Sequence, residues 1–280
     1  MTATDSSTQG VLDVDGCPLS FRVRGEGEAV VLIQGVGVEG DAWRPQVDAL
    51  AARFRCLTFD NRGMGKSVPS AGALSIERMT ADTVALLDHL QWKSAHVVGH
   101  SLGGQVAIEL GLSARQRVRS LALLCTFARG RDAVAMTPAK IWTGLRTYIG
   151  SRRARRHAFL EMVCPASTLR AADGAAKDRL AADLAELFGH DLADHPAVEM
   201  AQLKALKAYD AWTRLPQLAG IPTLVVAAAE DRIAVPASGR NLTAAIPGAH
   251  FVEIPDAAHG VPIQKSAEVN RLLVDHFALL

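Results

Sequence analysis

Short apolar runs rich in β-branched residues alternate with longer amphipathic stretches along most of this chain. Residues 11–14 and 19–24 flank Asp15-Gly16, a hairpin signal. Residues 29–34 form an apolar run of the kind found in a buried strand. Residues 45–53 then predict a helix with Pro45 at its first position. Strand patterns recur at 54–60, 95–99, 118–126, 222–229 and 250–254. Helical patterns fall at 75–90, where Ser75 is placed to cap, and at 101–112 and 262–279. The first ten residues read as a loose tail. Strands interleaved with helices predict an α/β fold, a mostly parallel central sheet flanked by helices.

Residues 128–212 depart from this rhythm. Amphipathic helices are expected around 141–149, 156–163, 179–188 and 198–209, and no strand pattern stands out. The reading is therefore a core of 1–127 and 213–280 with a helical cap, 128–212, inserted between two sheet strands. Insertions of that length at a sheet edge often cover a binding site.

Composition narrows the function. The 280 residues carry a net charge of +1, so nothing directs the chain to nucleic acid or to an anionic membrane surface. No apolar run reaches the roughly 18 residues of a membrane span. The polar N-terminus lacks the order of a signal peptide, and a cytoplasmic location is expected. The four cysteines, Cys17, Cys56, Cys125 and Cys164, are scattered, which suits a reducing compartment and gives no Cys-x-x-Cys metal or redox pattern. No metal or organic cofactor is expected, and the partner is a small molecule.

The chemistry centres on Gly99-His100-Ser101-Leu102-Gly103, a Gly-x-Ser-x-Gly sequence between an apolar strand and a helix. A sharp strand–turn–helix there lifts the Ser101 hydroxyl clear of the sheet, and the glycines make room for the turn. The helix N-terminus offers free N–H groups to developing negative charge. A serine hydroxyl needs a base, and the base needs an orienting acid. After the strand at 222–229 stand Glu230 and Asp231, of which Asp231 is taken as the acid. After the last strand, Pro255-Asp256-Ala257-Ala258-His259-Gly260 places His259 at the same sheet edge, as the base. His250 is the weaker base candidate and His100 is read as structural. An oxyanion hole needs two backbone donors; they are assigned to Leu102 and to Val36, in the loop Gln34-Gly35-Val36-Gly37.

At these residues the chain resembles the α/β-hydrolase superfamily over almost its full length. The resemblance is carried by the elbow at 99–103, by Asp60-Asn61-Arg62-Gly63-Met64-Gly65-Lys66-Ser67, by the Asp231 loop and by the loop ending at His259. Within the superfamily it is most similar to small esterases, 3-oxoadipate-type enol-lactonases and cofactor-free haloperoxidases, and Trp43-Arg44-Pro45-Gln46 fits that neighbourhood. Many members carry His-Gly where this chain has Gln34-Gly35, so the side-chain hydrogen bonds of that loop are expected to differ. The family's dehalogenases and epoxide hydrolases use an aspartate nucleophile, and Ser101 argues against those activities. The resemblance implies a serine hydrolase that cleaves a carboxylic ester or lactone through an acyl-enzyme.

Rival readings stay open at this point. The same triad serves C–C bond hydrolysis or perhydrolysis, and a hydrolase shell can act as a ligand receptor. Gly35-Val36-Gly37-Val38-Glu39-Gly40, with Asp60 20 residues beyond Gly40, mimics the fingerprint of an NAD-binding oxidoreductase. Pro45 places the following helix too late for that fingerprint. Gly63-Met64-Gly65-Lys66-Ser67 resembles the end of a P-loop but has Asp60 where the first glycine belongs. In the cap, Arg146, Arg152, Arg153, Arg155 and Arg156 read as a solvated face, with a substrate-pairing arginine as the sharper option. Trp142, Ile149, Phe159 and Phe188 read mostly as core at helical spacing.

Overall fold

The computed structural model describes residues 7–70, 72–132 and 138–278. β1 (Ser7–Val14) and β2 (Cys17–Arg24) form the hairpin, turning through Asp15 and Gly16 at φ 51° and 75°. β3 (Glu28–Ile33), β4 (Phe54–Phe59), β5 (Ala95–His100), β6 (Val118–Leu124), β7 (Thr223–Ala228) and β8 (His250–Ile254) complete an eight-stranded sheet. Its order is β1-β2-β4-β3-β5-β6-β7-β8. The first two pairings are antiparallel and the rest parallel. Helices flanking the sheet bury its central strands on both faces, so those strands read as near-continuous apolar runs. α1 (Arg44–Leu50) packs on α11 (Ser266–Phe277), α2 (Ile76–His89) on α3 (Leu102–Ser113), and α9 (Pro236–Ala245) on β7 and β8. The Ser75 side chain accepts the Arg78 amide at 3.1 Å and caps α2.

Two expectations at the ends of the chain are corrected. The tail is shorter than ten residues: Ser7–Gly10 pair with Phe21–Arg24 as part of β1. Their polar side chains carry no strand pattern because backbone pairing alone holds them at the sheet edge, and the Phe21 ring occupies the space a Cβ on Gly10 would need. The closing helix is two helices, α10 (Val261–Gln264) and α11, broken at Lys265, whose φ of −121° is not helical.

Between β6 and β7 lie α4 (Pro138–Arg146), α5 (Arg152–Val163), α6 (Ala166–Ala171), α7 (Gly174–Phe188) and α8 (Glu199–Ala208). Leu160, Val163, Ala181, Leu184, Phe188 and Leu192 form a second apolar cluster that closes on Val38 and Ala42, just beyond β3. Phe188 and Phe159 belong to it, edge to face at 5.8 Å. Trp142 and Ile149 do not: they are 57% and 52% exposed. Arg146, Arg152, Arg153 and Arg156 are more than a solvated face. Arg146 pairs with Glu161 at 2.8 Å, Arg153 with Asp178 at 3.0 Å, and Arg152 and Arg156 converge on Asp191. All four cysteines are buried free thiols. Among the described residues no helix is long and apolar enough to cross a membrane.

Candidate active site

β5 runs straight into the elbow. Ser101 sits at φ 55° and ψ −118°, a conformation that side chains rarely adopt and that the surroundings hold by bonds on both sides. Its amide donates to Leu124 O at 3.0 Å; its carbonyl accepts from Thr126 Oγ1 at 2.6 Å and from the Gly104 amide at 2.9 Å. A Cβ on Gly103 would overlap the Ile33 carbonyl oxygen, so only glycine lets α3 start this close to β3. Gly35, from the loop after β3, lies so near that its Cβ would stand 3.2 Å from Ser101 Cβ.

The acid and the base come from the loops after β7 and β8. His259 Nδ1 donates to Asp231 Oδ2 at 2.8 Å, and both residues are buried. The other Asp231 oxygen accepts the Ile233 and Ala234 amides at 2.7 and 3.0 Å. Burial alone would raise the Asp231 carboxyl. The charge and hydrogen bond of His259, the Ile233 amide and the Cys125 thiol outweigh it and hold the carboxyl below its usual range. Glu230 faces elsewhere and accepts the Ala166 amide at 2.8 Å. His100 Nε2 donates to the His259 carbonyl at 2.8 Å, tying the elbow to the base loop. Burial and the neighbouring His259 charge push His100 down to about 3, so it stays neutral. His250 is exposed at the start of β8.

Val36 lies at the half-buried tip of the loop after β3, and Leu102 opens α3. Among the described residues neither amide has a partner within the protein. Gln34 fills the place of the expected histidine with local bonds: its Oε1 accepts the Gly35 amide at 3.3 Å and its carbonyl accepts from Asn61 Nδ2 at 3.0 Å. Cys125, at φ 46° beyond β6, stands beside Asp231 and His259; nothing in the sequence around it signalled that placement. Cys125 Sγ, a carboxylate oxygen of Asp231 and a ring nitrogen of His259 lie within 4.8 Å of one another, a donor set near enough to hold a metal ion.

The nucleotide-like motifs are spent on structure. Asp60, in the position of a ribose-binding acid, accepts the Gly40 amide at 2.8 Å and the Lys66 amide at 2.9 Å. α1 starts only at Arg44, after a 3-10 turn at Gly40–Trp43. A cavity of about 310 Å³ opens between residues 72–77 and α8, and none of Ser101, Asp231 or His259 lines it.

Residues 28–266 match the family described as alpha/beta hydrolase fold. A protein of Mycobacterium tuberculosis named "Putative non-heme bromoperoxidase BpoC" is 31% identical over 275 residues, covering 93% of this chain and 97% of that one. The solved enol-lactonase from Burkholderia xenovorans LB400 is 28% identical, with a TM-score of 0.80 over 96% of this chain and 99% of its own. Est816, described as an N-acyl homoserine lactone degrading enzyme, is 27% identical, with a TM-score of 0.78 over 95% and 99% of the two chains.

Proposed function

Because this chain belongs to the α/β-hydrolase family, we propose that it hydrolyses a small carboxylic ester or lactone through an acyl-enzyme on Ser101. The observation that carries the reading is the buried His259, whose Nδ1 is bonded to Asp231 at 2.8 Å, on a loop that His100 ties to the elbow holding Ser101 at φ 55°. That bond fixes the imidazole tautomer and leaves Nε2 as the acceptor for a serine proton. His259 takes the Ser101 proton as Oγ attacks the carbonyl carbon. The Val36 and Leu102 amides hold the oxyanion, and the positive end of α3 lies behind it. His259 then gives the proton to the leaving alcohol, and afterwards activates the water that releases the acid. Asp231 stays ionised and stabilises the imidazolium. The helices of 128–212 act as a cap that excludes water and shapes the substrate pocket. The lactone-cleaving proteins among the similar structures support a cyclic or linear ester as substrate.

The relative named for bromoperoxidase activity favours a second outcome for the same intermediate. Hydrogen peroxide, attacking the acyl-enzyme in place of water, would give a peracid.

The test is fluorophosphonate labelling with peptide mapping, beside turnover of a p-nitrophenyl ester series and simple lactones. Label on Ser101 with turnover, both lost in Ser101→Ala while the protein stays folded, is the expected result. A folded wild-type protein with no label and no turnover overturns the reading. Adding peroxide and measuring peracid separates the two outcomes.

A further inference from the structure

The loop after β3 is fastened to the cap, and the bonds converge on one residue, Gly37. Gln202 of α8, fully buried, accepts the Gly37 amide proton on Oε1 at 2.8 Å. His190, in the segment between α7 and α8, has its Nε2 2.7 Å from the Gly37 carbonyl, to which it donates. Two residues on, the Glu39 amide donates to the carbonyl of Phe188 at 3.3 Å. Both polar groups of Gly37 are therefore held by cap side chains. Gly37 itself sits at φ 70°, where a side chain would be strained.

Holding the Gly37 N–H fixes the peptide plane that joins Val36 to Gly37. Only the φ and ψ of Val36 then stand between that clamped plane and its own amide. We propose that Gln202, seconded by His190, is a positioning residue for the oxyanion loop, so that the cap sets the Val36 N–H where the developing negative charge needs it. The inference rests on the serine hydrolase reading and deepens it. Packing alone does not account for a glutamine here. Among the described residues Gln202 Nε2 is buried without a partner, a cost that an apolar side chain of the same length would avoid. The side chain is retained at that cost while its oxygen is committed to Gly37. Nothing in the sequence singled out either residue, since one glutamine and one histidine among helices form no motif.

The experiment compares Gln202→Met, His190→Phe and His190→Gln with the wild-type protein, using a p-nitrophenyl ester that the wild type turns over. Melting curves confirm that each variant is folded. A misplaced oxyanion donor acts in the transition state, so kcat should fall roughly 10- to 100-fold in Gln202→Met and His190→Phe, with KM within about twofold. His190→Gln keeps an N–H near the position of Nε2 and should stay within about threefold of wild type in kcat, a rescue that a purely steric role would not give. The rate of fluorophosphonate labelling at Ser101 should follow kcat. If Gln202→Met does not fold, the two His190 variants carry the same comparison. Unchanged kcat in Gln202→Met and His190→Phe, beside an active wild type, overturns the clamp and leaves the hydrolase reading standing. A raised KM with kcat intact also overturns it, because that is the mark of a substrate contact. A wild type that neither labels nor turns over any ester or lactone overturns both together.

Discussion

Glu230 and Asp231 are neighbours with the same charge, and the loop after β7 gives them opposite tasks. Asp231 Oδ1 accepts the Ile233 and Ala234 amides, a local turn that aims the second oxygen at His259. Glu230 turns away and holds the first amide of α6. Asp231→Asn should therefore lower kcat by about four orders of magnitude through the wrong imidazole tautomer. Glu230→Gln keeps an acceptor for Ala166 and should leave kcat within a few-fold; steady-state kinetics on one ester decides it, and equal losses in both would remove the distinction. The sequence places both acids after a strand and cannot choose between them, because the choice is made by a turn two residues long. The elbow is different. Gly99, Ser101 and Gly103 write their strand–turn–helix directly into the sequence, since a Cβ at either glycine would run into backbone. Gln202 and Cys125 lie at the other extreme, with contacts set wholly by what the fold brings beside them.

Among the elements, the helices between β6 and β7 show how far periodicity reaches. It marks which residues share a face, and for Phe159 and Phe188 that face is covered. Trp142 and Ile149 have the same spacing, yet more than half of each stays exposed, and no pattern on one helix announces how much of its face a neighbour covers. The arginines of α5 were legible as polar and illegible as partners. Arg152 and Arg156 meet at Asp191, which also accepts the Ala193 amide, so a carboxylate from the α7–α8 segment fastens that segment to α5. The guanidinium bonds outweigh partial burial and hold the Asp191 carboxyl well below its usual range. Asp191→Ala should lower stability by roughly 1–2 kcal/mol, as for a partly exposed network that also loses a backbone bond. Limited proteolysis should cut faster within residues 189–197 than in the wild type. An unchanged cleavage pattern would show that the segment is held by its apolar contacts instead.

At the scale of the whole molecule, acid sensitivity is built into the core. Burial lowers His96, His100 and His276 from the ordinary 6.5, with His100 reaching about 3. His276 donates to the Leu121 carbonyl at 2.9 Å; His96 meets Ser120 at 2.8 Å and Glu28 at 3.4 Å, and burial outweighs the pull of that carboxylate. Below pH 6.5 the unfolded chain binds protons at these three sites that the folded protein refuses. Stability is thus full above that pH and falls as pH drops from about 6.5 toward 3. Urea midpoints should be level above neutrality and decline below it, and His276→Gln should decline less steeply; a flat acid limb would mean that the buried rings do not govern it. The four thiols offer a different kind of handle. Each is almost wholly out of contact with solvent, and burial raises Cys56 to about 12 and Cys164 to about 11, with Cys17 and Cys125 also raised. A disulfide reagent needs both access and thiolate, and the closed protein gives it neither. Colour released by such a reagent from the unmodified protein would count openings of the fold, making its own sulfur atoms a stopwatch for how often the molecule comes undone.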